Sequence, residues 1–366
     1  MNYAPKFNHN AALFSFCLSI AVQASAAPTL TNLEYAANEV TLTGVNFGLA
    51  PKVVLFDNFE HERKFADLLQ SQGNRNNWAA GVLPYKEADG NIAHRAKDPV
   101  QVAAGKKGLA QVMVDFPTDY KTALVSFSVK VPKGTTFAGA STPRTFPTMS
   151  SWKFSWLMSG SNGFQESDKF DVCLPQHPGS GNATMIGNSG NIAWLTGFTD
   201  WWEWDEYNHM TSFVKIADTN PIVTPITYSF EVFNNVKHYY REGDNSKYLP
   251  TSFQLTDFKF NRINIPGWWG NGDNTKFDGL YDNMYVAVGD NALARVMVTN
   301  SPIFNASTFA IPVMAKSWTN GKIVLDTDVL PQKPGLYIHI IDNKGAVSSN
   351  SLALSCAKCP KSPTPL

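Results

Sequence analysis

The chain has 366 residues, with 30 Lys plus Arg against 30 Asp plus Glu, so its formal net charge is zero. That balance implies no basic face, so nucleic acid and anionic membrane surfaces, which attract a protein by long-range charge, are not expected partners. Aromatic residues at 13 % nearly match charged ones at 16 %, and 25 Gly and 22 Pro punctuate the chain, which is the balance of an all-β exported protein with many turns.

The first residues have the order of a secretory signal peptide: Lys6, then the apolar run AALFSFCLSIAVQA, then ASAAP. Residues 1–26 form this segment, with the cut expected after Ala24-Ser25-Ala26. The run is too short for a membrane anchor that must cross about 30 Å. Cys17 follows Phe16 rather than a small residue, so no lipid anchor is expected. The expected location is secreted, periplasmic or on the cell surface.

Residues 27–52 hold a short hairpin pattern ending in Thr41-Leu42-Thr43-Gly44-Val45-Asn46-Phe47-Gly48. A strand that stops at Gly44, a tight left-handed turn at Asn46 and Gly48, and Phe47 folded back into a core would account for that spacing. The segment resembles the opening of an IPT/TIG domain, an immunoglobulin-like β-sandwich module. Next comes HERKFADLLQSQ, residues 61–72, where Phe65, Leu68 and Leu69 fall on one helical face. It is the one helix candidate.

From there apolar and polar residues alternate between turn residues, as in ALVSFSVKV, SSWKFSWLM, ITYSFEVF, FKFNRINI and NMYVAVG, the pattern of antiparallel sheets in a sandwich or barrel. Residues 53–290 resemble the concanavalin-A-like jelly roll of legume lectins, laminarinases and several polysaccharide lyases. The resemblance rests on Phe56-Asp57-Asn58-Phe59-Glu60, on FEVFNN and KHYYREGDN, and on FNRINIPGWWGN followed by YDNMYVAVGD. It implies a fold built as an antiparallel jelly-roll β-sandwich, in which the first and last strands pair.

Residues 291–355, with ARVMVTNSPIF, SWTNGKIVLDTDVL and GLYIHIIDNKGAVSSNSLAL, resemble the second half of an IPT/TIG domain. Because domain termini lie close together, the expected organisation is one immunoglobulin-like module made by both ends of the mature chain, with the jelly roll inserted. A separate C-terminal module with a stray hairpin is the alternative. Residues 356–366 are a tail in which Cys356 and Cys359 suit a small disulfide, leaving Cys173 as a buried thiol. A zinc half-site would need a second cysteine pair that the chain lacks.

The densest chemistry lies in FTDWWEWDEYNHM, residues 198–210. Read as a strand, it turns Trp201, Glu203, Asp205 and Tyr207 to one side and Trp202, Trp204 and Glu206 to the other. The first set is the mixed aromatic and carboxylate surface of a sugar groove; Trp202 and Trp204 then belong to the core. The doublet Trp268-Trp269 adds two rings able to stack on sugars. Laminarinase-like hydrolases carry E-x-D-x-E or E-x-D-x-x-E, and Glu203-Trp204-Asp205-Glu206 brings the third acid too early, which counts against hydrolysis.

A lyase would need a base, an acid and a cation for the uronate, and His238, Tyr240 and Arg241 supply those types in one strand, with Lys153 and Arg262 as further cations. Oxygen ligation of a structural calcium is suggested by NGDNTKFDGLYDN, and Asp57 and Asp282 are its carboxylates because the jelly-roll resemblance pairs their strands. The first functional expectation is a secreted protein that binds a polysaccharide or other glycan. A lyase of uronic-acid polymers and a structural surface protein are the alternatives.

Overall fold

The computed structural model describes residues 26–59, 84–88, 91–97, 112–133, 152–158, 169–174, 185–188, 191–194, 202–216, 226–244, 259–265, 268–269 and 278–355. These residues fold as antiparallel β-sheets with two short 3-10 turns at Phe304–Ala306 and Thr327–Val329. Residues 1–25 of the expected signal segment, the helix expected at 61–72, Trp201 and the two cysteines expected to pair, Cys356 and Cys359, lie outside the described residues.

Both sandwich sheets of the larger unit follow from alternation, interrupted by local register shifts. An eight-stranded sheet runs in the order His238–Asp244, Ile226–Phe233, Asn208–Ile216, Thr122–Lys130, Asp278–Val288, Ile92–Lys97, Pro84–Lys86, and Lys52–Asp57 pairs with the far half of Asp278–Val288. A five-stranded sheet holds Trp268–Trp269, Trp152–Met158, Phe260–Ile265, Val112–Tyr120 and Lys169–Leu174. Between them lies a core that includes Val125, Phe127, Val129, Met210, Phe230, Val232 and Ile263.

The central strand Thr122–Lys130 is buried at eight of its nine positions. Odd-numbered Ala123, Val125, Phe127 and Val129 enter the core, as alternation requires. The even positions Leu124, Ser126 and Ser128 point the other way and are buried too, because a second unit covers that face. The two serines keep partners: Ser126 Oγ donates to the Met210 carbonyl at 3.0 Å, and Ser128 Oγ lies 2.6 Å from His209 Nδ1.

The second unit is built from both ends of the chain. Thr29–Ala36, Glu39–Val45, Lys322–Asp326 and Ser317–Trp318 form one four-stranded sheet; Ala310–Val313, Arg295–Thr299, Leu336–Ile341 and Leu352–Leu354 form the other. Leu30, Val40, Leu42 and Phe47 share one core with Val296, Ile323, Ile338 and Leu354. Asn46 and Gly48 take the left-handed conformation at φ 62° and 73°. A Cβ on Gly44 would stand 2.1 Å from the Thr29 carbonyl oxygen and 2.6 Å from the Phe47 ring, so only glycine admits the ring that closes the core.

This unit lies on the outer face of the eight-stranded sheet. Phe304 meets Phe233 edge-on at 5.4 Å, Phe309 meets His209 at 4.8 Å, and Asn58 Nδ2 donates to the Asp328 carbonyl. Leu293, Met314 and Val329 pack on Phe56, Leu124, Phe213 and Tyr285. Buried Arg295 faces Glu231 across the seam at 3.6 Å.

The strand expected through residues 201–207 starts later, at Asn208. Residues 204–206 bend instead, with Asp205 left-handed at φ 63°. The aspartate suits that turn: its Oδ1 accepts the Lys133 amide and its own amide donates to the Val131 carbonyl. Trp202 is buried and Trp204 half-buried, and the two meet edge-on at 5.7 Å against the jelly-roll core. Trp204→Ala should therefore cost about 1–2 kcal/mol, below the 3–5 kcal/mol usual for a fully buried large aromatic. Urea unfolding of the variant against wild type measures the difference.

Candidate functional site

A cavity of about 420 Å3 remains where the two units meet above the eight-stranded sheet. Its floor is set by cross-strand register. His209 stands opposite Ser128, and Ser128 opposite Asp282, which places all three on the outer face in one row. Tyr207 follows two residues before His209 and stacks toward it, with centroids 6.2 Å apart.

Asp282 reaches this face through a bulge. Alternation along Asp278–Val288 would send Asp282 inward with Met284, Val286 and Val288, and those three do lie in the core. The register shifts between Asp282 and Tyr285, and Asn283 turns left-handed at φ 51°. The extra residue reverses the parity. Asp282 consequently lines the cavity, its Oδ1 accepting the Asn283 amide at 2.7 Å.

One amide ties the polar wall together. Asn91 Nδ2 lies 2.9 Å from Glu87 Oε2, 3.3 Å from Asp282 Oδ2 and 3.3 Å from the Tyr207 hydroxyl. Tyr207 donates to Glu87 Oε2 at 2.6 Å, and Lys130 Nζ meets Glu87 Oε1 at 2.9 Å. Burial raises the Glu87 carboxyl, but hydrogen bonds from Tyr207, Lys130 and Asn91 together with the Lys130 charge outweigh it, leaving Glu87 below the usual glutamate range. Tyr207 is held above the ordinary phenol range by burial first, then by the charge of Asp282 and the bond to Glu87. His209 is lowered to about 3, chiefly by burial and then by the Lys333 charge, so its ring is neutral at physiological pH.

Of the residues expected to bind glycan, Tyr207 enters this cavity. Glu203 pairs with Lys237 at 3.2 Å, and Asp205 serves its own turn. Trp268 and Trp269 pair with Lys153 and Trp152 in the five-stranded sheet, away from the eight-stranded one. Glu206, expected on the core side with Trp202 and Trp204, instead lines the cavity rim and accepts a hydrogen bond from Asn235. Glu87, Asn91 and Lys130 were not singled out from the sequence. Glu87 and Asn91 flank two short strands and Lys130 ends the strand Thr122–Lys130; these pair with the distant strand Asp278–Val288 or its neighbours, so spacing along the chain carries no sign of them.

The residues expected of a lyase lie elsewhere, beside a second recess of about 880 Å3. His238 Nε2 is 3.0 Å from Glu231 Oε1 and Nδ1 3.3 Å from the Asn305 carbonyl, while its ring stacks on Phe233 at 4.1 Å. Tyr240 donates to Glu242 at 2.6 Å and is held above the ordinary phenol range, by burial first and then by that contact. The Arg241 backbone pairs with Phe230. Arg262 is bound to Asp115 in the other sheet. Both ring nitrogens of His238 thus face acceptors, and the Tyr240 hydroxyl is engaged with a carboxylate.

For calcium, the strands of Asp57 and Asp282 do pair, but Asp57 stands opposite Met284. Among the described residues no three His, Cys, Asp or Glu side chains gather as a metal site.

The chain matches no family model and no curated protein. Solved structures similar to it include alginate lyase Aly36B, at 10 % identity and a TM-score of 0.38 over 65 % of this chain and 97 % of that one. The marine PL-14 alginate lyase from Aplysia kurodai is similar at 8 % identity and 0.38, over 65 % and 100 %. The laminarinase from Rhodothermus marinus is similar at 12 % identity and 0.28, over 65 % and 98 %.

Proposed function

We propose that the protein is an exported glycan-binding sandwich whose cavity takes neutral sugar units without cleaving them. The network in which Asn91 joins Glu87, Tyr207 and Asp282 is the observation that carries this reading. Fixed carboxylates and amides facing a cavity match sugar hydroxyls, and the Tyr207 and Phe309 rings beside them suit the apolar faces of pyranose or furanose rings.

Charge favours a neutral ligand. The lining carries Glu87, Glu206 and Asp282 against Lys130 and Lys333, one negative charge in excess, and Lys130 is already paired with Glu87. A polyuronate would meet repulsion there. Catalysis is disfavoured by the two groups best placed for it: Tyr207 is bound to a carboxylate that keeps it protonated, and His209 is too weak a base. The immunoglobulin-like unit, of IPT/TIG type and formed by the two chain ends, supplies the opposite wall.

Affinity electrophoresis through gels containing arabinan, xylan, mannan or β-1,3-glucan, with alginate as the acidic control, tests the reading. Retention by at least one neutral gel is expected, with no release of reducing ends and no rise in ultraviolet absorbance. Asn91→Ala leaves three acceptors without their shared donor and should weaken retention about tenfold, near 1.4 kcal/mol. Migration unaffected by every neutral gel defeats the proposal; a rise in absorbance with alginate restores the lyase.

A further inference from the structure

We propose that this cavity recognises the end of a glycan chain rather than its interior, an inference that rests on the glycan-binding reading. Register fixes what surrounds the site. On the outer face of the eight-stranded sheet one row runs Asp282, Ser128, His209, Phe233, His238 across five strands, and the next runs Tyr285, Ser126, Thr211, Glu231, Tyr240.

Both straight paths across that face are closed by the other unit. Along the first row, Phe309 stands edge-on over His209 at 4.8 Å, and beyond it Phe304 lies against Phe233 at 5.4 Å and His238 at 6.3 Å. A chain lying across the strands meets this wall one residue past Ser128. Along the strands, the next outward side chains after Ser128 and Asp282 lead to Leu124, Tyr285 and Phe56, which are buried beneath Leu293, Met314 and Val329. A chain lying along the strands stops there.

These walls are not loose flaps. Phe309 packs on the core of its own unit, and the Asn300 side-chain oxygen accepts its amide at 3.1 Å. The seam holding them is fixed by the Arg295–Glu231 pair and by the bond from Asn58 to the Asp328 carbonyl. An open groove would let successive sugar units continue on both sides. Here the floor of Asp282, Ser128 and His209 ends against protein in two directions, and the exposed residues of the lining are Glu206 and Asn235 of one unit and Gln332 and Lys333 of the other. The terminal unit is what such a recess accommodates.

The test uses the whole protein in the same gels, with soluble competitors. Intact arabinan, xylan, mannan and β-1,3-glucan are each compared with the same polymer shortened by partial acid hydrolysis. If ends are bound, shortening chains tenfold multiplies the ligands in a given mass, and the mass needed to release the protein should fall about tenfold. Equal potency by mass before and after shortening, or weaker competition by short chains, overturns end recognition while leaving glycan binding intact. Absence of retention in every gel overturns the binding reading and this inference with it.

Discussion

Deletion of residues 292–366 is expected to make the 29–45 hairpin a substrate for protease within minutes under conditions where the full chain resists. The hairpin strands Thr29–Ala36 and Glu39–Val45 carry Leu30, Val40 and Leu42, and these are buried against Val296, Ile323 and Ile338, all of which the deletion removes. An isolated two-stranded hairpin is marginal in water. Further bonds go as well: the Leu30 amide to Asn350 Oδ1 at 2.9 Å, the Phe47 amide to the Asn320 carbonyl at 2.9 Å, and the Gly48 amide to Asn320 Oδ1.

The same deletion uncovers Phe56, Leu124, Phe213 and Tyr285. Binding of a hydrophobic dye should therefore rise together with cleavage of the hairpin. Limited proteolysis with mass spectrometry reads the outcome, and continued protection of residues 29–45 would contradict the organisation in which both ends form one unit.

Asp57→Asn is expected to stabilise the protein by on the order of 4 kcal/mol at pH 8 and by almost nothing at pH 4, as read by urea unfolding. Burial raises the Asp57 carboxyl to about 7 against an unfolded value of 3.8, and the Phe59 amide that donates to Oδ1 at 2.8 Å offsets little of it. Below the unfolded value both states hold the proton and stability is complete. Between about 4 and 7 the unfolded chain has released its proton while the folded one retains it, so stability falls as pH rises. Asparagine keeps an oxygen for the Phe59 amide and never ionises.

His209 works in the opposite sense over nearly the same range. Its folded value of about 3 lies below the unfolded 6.5, so its contribution is present above 6.5 and is lost as pH falls toward 3. The wild-type profile should consequently be shallow, and Asp57→Asn should expose a stability that climbs from pH 4 to 7. A variant whose profile parallels wild type would show that Asp57 is ionised when folded.

Alternation and turn residues were enough to determine the all-β sandwich class, because period-two burial is a local consequence of strand geometry. The left-handed Asn46 and Gly48 and the buried Phe47 follow from the same kind of local constraint. The site was not local. Tyr207 was legible as an aromatic beside acids, yet its partners Glu87, Asn91, Lys130 and Asp282 come from three distant segments, and the stretch that suggested a strand became a turn at Asp205. A bulge at Asn283 reversed the face of Asp282, and one extra residue in a ladder leaves no mark on hydrophobic periodicity. Tertiary structure alone decided that Ser126, Ser128 and His209 are covered, since nothing in a strand's own sequence specifies what packs on its second face.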